Sequence, residues 1–214
     1  MENHNYTIDH REGNLLYAVT DRTGKYEIVE FAIDEPSLSG WKTLYETSNP
    51  IEDFHIMKDF IGVQEYNQTT LELNYINKST KKVNNIEFKD EVFSFYFIKN
   101  QSDTSNAIQI GYDSPKTAYI TYNIDLESKN KKVVKQEIFT FNKKTYGVKV
   151  LSALSNDNVK IPITLFYDEI LTKDSIKGII LKSYGAYGAK YYPGFNAEDK
   201  VYVDLGYVVA FAHV

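Results

Sequence analysis

The chain contains no cysteine, only two arginines and no apolar run that approaches the length of a membrane span. Without cysteine there are no disulfides and no thiolate chemistry, which fits a reducing compartment. A membrane-spanning helix needs about 20 consecutive apolar residues. The first residues, MENHNYTIDHREGN, also lack the apolar core of a signal peptide. We therefore expect a soluble, cytoplasmic protein that does not enter a membrane.

The charge balance is acidic, with 29 Asp and Glu residues against 24 Lys and Arg residues. Binding to nucleic acid needs a basic face, so we expect no nucleic-acid partner. The sequence is rich in aromatic residues, with 18 Tyr and 12 Phe. This content favours β-structure, because flat rings pack well on the pleated surface of a sheet. The 214 residues suffice for one substantial domain or two partial ones.

Residues 1–140 read as short strands separated by turns, with almost no helix signals. The sequence DRTG at 21–24 predicts a hairpin, because its glycine allows the chain to reverse. Taken in fours, the strands recur every 40 to 45 residues or so, roughly the length of one propeller blade. This segment therefore predicts a partial β-propeller of about three blades; a β-sandwich is the alternative. Because a closed propeller has about four to eight blades, we expect further blades on the N-terminal side.

Residues 141–214 have a different pattern. The sequence SNDN at 155–158 predicts a hairpin in which Asn158 adopts positive φ. Pro162 in the strand that follows predicts an edge strand, because proline cannot donate to a neighbouring strand. The almost continuous apolar run at 177–184 predicts a central strand that is buried on both faces.

A short helix is predicted over residues 196–206, where Asn196 is a suitable N-cap and Gly206 a suitable stop. The apolar run YVVAFAHV at 207–214 predicts the next buried strand. A strand, a helix and a second strand in this order indicate the start of a parallel α/β sheet. A buried strand needs cover on both faces, so we expect the chain to be part of a larger protein.

Two segments carry a family resemblance: SYGAYG at 183–188 and DLGYVVAFAHV at 204–214. They resemble the start of the catalytic domain in the prolyl oligopeptidase family of serine peptidases, and most closely its oligopeptidase B branch. YGVKVLSALSNDNVKIPITLFY and GYDSPKTAYITYNID resemble the same branch, in the same order along the chain. The resemblance implies a mainly β chain, with the C-terminal blades of a β-propeller followed by the first strands and one helix of an α/β-hydrolase domain.

The resemblance also implies an activity: hydrolysis of short peptides after Lys or Arg by a Ser-His-Asp triad, with no cofactor and no metal. The family's nucleophile lies in a GxSxG motif, and no such motif occurs in this sequence. We therefore expect the chain to be truncated before the nucleophile and inactive alone, with a second polypeptide supplying the rest of the catalytic domain. Two alternatives stay open: a non-catalytic β-propeller binding module, and a remnant of a split or degraded gene.

Tyr184 is the candidate catalytic residue, because by resemblance it matches the tyrosine that donates to the oxyanion in this family. The change of the preceding glycine to Ser183 departs from the family pattern. From the residues alone, a tyrosine that packs its ring at a strand end is the alternative. Tyr187 is a candidate substrate-binding residue, with a surface or core role equally open.

Three further residues near these tyrosines have structural interpretations. Gly185 and Gly188 allow the chain to turn tightly at the end of a buried strand. His213 lies between Ala212 and Val214 on a buried strand, which indicates a core histidine satisfied by hydrogen bonds rather than a triad or metal residue. The other histidines are scattered without the spacing of metal ligands.

Overall fold

The structure is a computed structural model, and it describes residues 5–10, 13–98, 105–139, 145–187 and 189–214. Within these residues the fold is mainly β, with one α-helix and four separate sheets of four strands each.

The first three sheets each consist of four strands that are consecutive in the chain and antiparallel to their neighbours. The first sheet contains β1 (Tyr6–His10), β2 (Leu15–Thr20), β3 (Tyr26–Ala32) and β4 (Lys42–Thr47). The second contains β5 (Ile51–Ile56), β6 (Phe60–Asn67), β7 (Thr70–Asn77) and β8 (Val83–Ile86). The third contains β9 (Ser94–Ile98), β10 (Ala107–Ser114), β11 (Thr117–Asp125) and β12 (Lys131–Gln136). Three small sheets in series are the pattern of propeller blades, whereas a sandwich would have two larger sheets.

Apolar side chains fill the spaces between neighbouring sheets. Ile28, Ile61 and Ile76 belong to a buried cluster between the first and second sheets. A larger cluster joins the second and third sheets. Gly62 lies at this second contact, where a Cβ would be only 2.7 Å from Cδ1 of Ile108. The second and third sheets therefore approach each other closely.

The hairpin predicted at 21–24 is confirmed. Gly24 has φ +82°, and its backbone N–H donates to the carbonyl of Asp21 at 3.0 Å. The turn depends on this glycine, since an L-residue rarely adopts such a backbone conformation.

The fourth sheet contains β13 (Tyr146–Leu154), β14 (Lys160–Asp168), β15 (Gly178–Ser183) and β16 (Tyr207–Ala212), and helix α1 (Ala197–Asp204) connects the last two strands. The spatial order is β13-β14-β16-β15, in which β15 and β16 are parallel and the other pairs are antiparallel. The parallel pair joined by a helix confirms the predicted strand–helix–strand unit.

Local signals in this region agree with the structure. Asn158 has φ +64°, as predicted for the turn between β13 and β14. The Asn196 side chain accepts from the backbone N–H of Glu198 at 2.8 Å and of Asp199 at 3.4 Å, which caps α1. Gly206 has φ +95° directly after the helix. The helix is therefore bounded by its own sequence, as expected for an Asx cap and a C-terminal glycine.

Two strand positions differ from the sequence-based prediction. Pro162 does not lie in an edge strand, because β14 runs between β13 and β16. Its carbonyl accepts from the backbone N–H of His213, just beyond the last paired residue of β16. The missing proline N–H therefore faces His213 at the end of the pairing with β16, where only one hydrogen bond is lost, and an interior strand tolerates it.

The second correction concerns β15, which is an edge strand and not a central one. Among the described residues it pairs only with β16. Ile179 and Leu181 on one face are each 65% exposed. An apolar run alone does not predict which strands will lie beside it. In the described part of the chain, nothing covers the face that carries Ile179 and Leu181. The predicted buried strand at 207–214 is confirmed, since β16 is largely buried.

No helix in the described part of the chain is long and apolar enough to span a membrane.

Candidate functional site

Tyr184 follows β15 directly and therefore lies at the carboxyl end of the parallel strand pair. Open α/β sheets bind their ligands outside the carboxyl ends of their strands. The side chain is 49% exposed, and its hydroxyl has no hydrogen-bond partner among the described residues. This geometry leaves the O–H group available as a donor.

The turn after Tyr184 brings the ends of β15 and β16 together. A Cβ at Gly185 would be 2.8 Å from Cγ2 of Val214 and 3.1 Å from its carbonyl oxygen. A side chain at Gly185 would therefore push the two strand ends apart. Gly188, the other glycine of this turn, lies outside the described residues.

Tyr187 is completely exposed and has φ +58°. A bulky side chain with left-handed backbone geometry is uncommon, and such positions often occur at functional sites. The tyrosine projects into solvent, so its role in substrate binding stays a prediction.

A buried ion pair anchors the end of β15 to α1. Lys182, on the helix-facing side of the strand, donates to the carboxylate of Asp199, whose side chain is only 3% exposed. Burial acts to lower the pKa of Lys182, but the hydrogen bond and charge of Asp199 outweigh it, so the pKa is raised. The strand end that leads to Tyr184 is therefore fixed on its helix side.

An open cleft of about 1090 Å³ lies between the second and fourth sheets. Its walls include Tyr66, Gln68, Lys160, Lys190, His213 and Val214. Neither Tyr184 nor Tyr187 lines this cleft, so the structure does not bring them together with His213 at one surface.

His213 is half-buried at the wall of the cleft, directly after β16. Its Nε2 lies 2.9 Å from Oγ1 of Thr164, and its Nδ1 lies 3.5 Å from the Tyr66 hydroxyl. Burial lowers the pKa of His213, although a hydrogen bond to the Tyr191 backbone opposes the shift. The ring is held by these neighbouring groups, but the predicted core position is wrong, because His213 is only half-buried and faces the cleft.

Sequence reasoning missed a group of contacts around the β15–α1 connection (residues 184–196). Lys190 forms an ion pair with Glu52 on β5, and its Nζ lies 4.8 Å from the ring centroid of Tyr66 on β6. Tyr192 packs edge-to-face on Tyr66, with ring centroids 5.4 Å apart. The local signal of such a contact is the sequence KYYP at 190–193, in which a lysine precedes two tyrosines. This signal does not predict which residues of the propeller it contacts.

A second missed contact involves Asp113 on β10. Its carboxylate accepts a hydrogen bond of 3.3 Å from the backbone N–H of Phe195. The pairing of β10 with β11 shifts register between Tyr112 and Ser114, so Asp113 lies at a bulge. Bulges re-aim side chains and are frequent near active sites. Burial raises the pKa of Asp113, while the Phe195 N–H opposes this.

No cluster of three or more His, Asp or Glu side chains suited to a metal ion occurs in the part of the chain that the structure describes.

Comparison with known proteins identifies the family of this chain. Residues 1–137 match the family model described as "Prolyl oligopeptidase, N-terminal beta-propeller domain". This match covers more than half of the 214 residues. The chain belongs to the prolyl oligopeptidase family. The first three sheets are accordingly blades of the propeller of this family.

Curated relatives match nearly the whole chain. The human prolyl endopeptidase-like protein is 23% identical over 213 residues, which cover 98% of this chain and 29% of the relative. Protease 2 from Moraxella lacunata is 18% identical over 211 residues, which cover 98% of this chain and 30% of the relative. The chain thus spans about three tenths of the length of these members of the prolyl oligopeptidase family.

Solved structures show the same fold. Oligopeptidase B from Trypanosoma brucei, with covalently bound antipain in a closed form, matches with a TM-score of 0.88 and 22% identity. That match covers 99% of this chain and 32% of the solved chain. Oligopeptidase B from Leishmania major matches with a TM-score of 0.88 and 17% identity, covering 99% of this chain and 31% of the solved one. The match includes the fourth sheet as well as the propeller blades.

Proposed function

We propose that this chain supplies propeller blades and the oxyanion donor of an oligopeptidase B-like serine endopeptidase. The observation that carries the proposal is the position of Tyr184 at the carboxyl end of a parallel strand pair, with a half-exposed side chain whose hydroxyl has no partner among the described residues. The assignment of the donor role comes from the resemblance of SYGAYG to the family's catalytic loop.

The chemistry of this role is simple. Acyl transfer develops negative charge on the carbonyl oxygen of the substrate, and a fixed O–H donor stabilises that charge more in the transition state than in the ground state. Loss of one such donor lowers the rate by about two to three powers of ten in enzymes of this kind. In this proposal Tyr184 donates to the oxyanion, while the nucleophile and its base come from outside the 214 residues.

The chain alone is proposed to be inactive. It has no GxSxG motif, and a donor without a nucleophile does not cleave a peptide. The rest of an α/β-hydrolase sheet would pair with the open edge of β15 and cover the exposed Ile179 and Leu181. The supporting fact is the length of the relatives, of which this chain spans 29 to 30%.

The substrate proposed is a short peptide cleaved after Lys or Arg, without a cofactor, in the cytoplasm. This specificity rests on the oligopeptidase B resemblance, with the structural matches to two oligopeptidases B in support. In the complete enzyme the propeller would restrict access to small substrates. The Trypanosoma brucei structure contains covalently bound antipain, and a covalent adduct is expected for an enzyme whose nucleophile forms a covalent intermediate.

The test is a fluorophosphonate labelling assay combined with hydrolysis of Lys- and Arg-containing peptides. Both are run on this chain alone and on a mixture with the polypeptide encoded immediately downstream. Peptides with Gln in place of Lys or Arg serve as the specificity control. Activity in the mixture only, with preference for the basic peptides, supports the proposal.

Two results would contradict it. Stoichiometric labelling of the isolated chain would mean that it carries a reactive serine of its own. No activity in the mixture, when the downstream polypeptide has an intact Ser, Asp and His, would mean that the two do not form an enzyme. The chain would then be a non-catalytic propeller module or a remnant.

A further inference from the structure

The β15–α1 connection joins Tyr184 to the helix, and propeller residues contact its second half. We propose that Glu52, Tyr66 and Asp113 are positioning residues, which hold this connection and thereby fix the location of the Tyr184 hydroxyl. This inference rests on the proposed function of Tyr184 as an oxyanion donor. It assigns to the propeller a role in the geometry of the site.

The first contact is made by Lys190. Its ammonium group forms an ion pair with Glu52 and lies 4.8 Å from the ring centroid of Tyr66, so one side chain of the connection binds two strands of the second sheet. Glu52 and Lys190 are both partly exposed, so the ion pair alone holds weakly. The cation–π contact adds to it because the ring face carries negative potential.

The second contact is made by Tyr192. Its ring packs edge-to-face on Tyr66 and against the buried cluster between the second and third sheets. Burial raises the pKa of Tyr192, and the nearby Glu52 carboxylate adds to the shift. The connection thus packs a partly buried aromatic side chain against the apolar core of the propeller, which is a stronger attachment than a surface ion pair.

The third contact lies at the end of the connection. The Asp113 carboxylate accepts from the Phe195 backbone N–H and sits so close to Gly194 that a Cβ there would be 2.8 Å from Oδ1. Main chain and propeller therefore touch directly at this point. A register shift between β10 and β11 also falls at Asp113, between the paired residues Tyr112 and Ser114.

Tyr191, between the two attached residues, faces the other way. Its ring stacks on Phe211 of β16, with centroids 5.3 Å apart, and belongs to the core of the fourth sheet. Neighbouring residues of the connection are thus held alternately by the propeller and by the fourth sheet. A displacement of the propeller against this sheet would therefore move the connection.

Tyr184 is fixed on its other side by β15, whose Lys182 is anchored to Asp199. Along the chain, Tyr184 lies between the anchored Lys182 and the two residues that contact the propeller, Lys190 and Tyr192. Oxyanion stabilisation depends on the distance between donor and oxyanion, so a shift of the connection would weaken catalysis more than substrate binding.

The experiment uses the full chain with 3-fluorotyrosine placed site-specifically at position 184. The readouts are the ¹⁹F NMR signal and hydrogen–deuterium exchange of residues 184–196. Tyr66→Leu removes both ring contacts, whereas Tyr66→Phe keeps the ring and serves as the conservative rescue. Glu52→Gln removes the ion pair, and Glu46→Gln is the matched control because Glu46 pairs with Lys25 away from the connection.

We expect Tyr66→Leu to raise exchange in residues 189–196 by roughly threefold to tenfold and to shift or broaden the ¹⁹F signal. Glu52→Gln should change both readouts in the same direction by a smaller amount, because it removes only the ion pair. Tyr66→Phe and Glu46→Gln should leave the exchange rates within about twofold of the wild type and the ¹⁹F chemical shift and line width unchanged. An unchanged signal in Tyr66→Leu, or an equal change in Glu46→Gln, would overturn the inference. Glu52→Gln provides the milder variant if Tyr66→Leu fails to fold.

Kinetics of the active mixture separate this inference from the proposed function. Tyr66→Leu should lower kcat with little change in KM, and Tyr66→Phe should restore kcat. If Tyr184→Phe lowers kcat but Tyr66→Leu does not, only the positioning role is wrong. If Tyr184→Phe leaves kcat unchanged, the proposed oxyanion role is wrong, and the inference built on it is wrong with it.

Discussion

The carboxylate of Asp113 lies against Gly194 and leaves no room for a side chain at that glycine. Asp113 lies on β10 of the third propeller blade, whereas Gly194 lies in the connection before α1. Their contact is therefore a direct measure of how closely the propeller and the fourth sheet pack.

Gly194→Ala should lower the free energy of unfolding by about 1 to 3 kcal/mol, because its Cβ would be 2.8 Å and 2.9 Å from the two Asp113 oxygens. Urea unfolding measures this cost. The loss should be smaller in an Asp113→Ala background, since the clash partner is gone. Gly178→Ala is the control, because its Cβ would meet Tyr207 at an ordinary 3.5 Å. Equal costs at both glycines would contradict the packing described here.

Tyr184→Phe should lower kcat of the active mixture by about two to three powers of ten, because the oxyanion would lose one donor. Tyr6→Phe is the matched control, since Tyr6 has a similar exposure of 52% but lies on β1 of the propeller. Steady-state hydrolysis of an Arg-containing peptide gives the comparison. A loss of less than about tenfold would rule out a principal role for this hydroxyl.

His213 should make stability depend on pH. Burial lowers its pKa below the usual 6.5, so the unfolded chain binds a proton more readily than the folded chain. The resulting stability is present above about pH 6.5 and is lost as the pH falls through the lowered pKa. Urea unfolding at about pH 7.5 and about pH 5.5 should show this decline, and His213→Gln should reduce it. An NMR titration midpoint above 6.5 for the His213 ring would contradict the sign.

Asn158 provides a test of the turn between β13 and β14. Asn158→Ala should cost about 1 kcal/mol of unfolding free energy, because alanine is strained at φ +64°. Asn158→Gly should stay within about 0.5 kcal/mol of the wild type, since glycine adopts this conformation freely. Thermal or urea unfolding of the two variants decides the matter, and identical losses would mean that the turn relaxes.

Local elements of this fold could be predicted from the sequence because their causes are local. The hairpin at Gly24, the turn at Asn158 and the helix capped by Asn196 each depend on residues within a few positions. The neighbours of a strand are a different matter. The predictions for Pro162 and β15 are wrong because the insertion of β16 beside β14 is a non-local pairing, which no alternation of apolar residues reveals.

The candidate site also has a part that local sequence predicts and a part that depends on contacts between distant residues. The prediction of Tyr184 as a donor depends only on a resemblance that covers its own loop. Glu52 and Lys190 are 138 positions apart, and a glutamate on a strand or a lysine in a loop has no feature that names its partner. The role of Tyr66 likewise depends on three neighbours that meet only after the propeller and the fourth sheet have packed.

The strand order β13-β14-β16-β15 also has a consequence for synthesis on the ribosome. Each propeller blade pairs strands that are consecutive in the chain, so it can close as soon as its own residues have emerged. The fourth sheet cannot, because β15 must wait for β16 to be translated before it gains its first neighbour. During that interval the apolar side chains of Ile179 and Leu181 stay exposed on an unpaired strand, which makes this segment prone to aggregation until β16 has emerged.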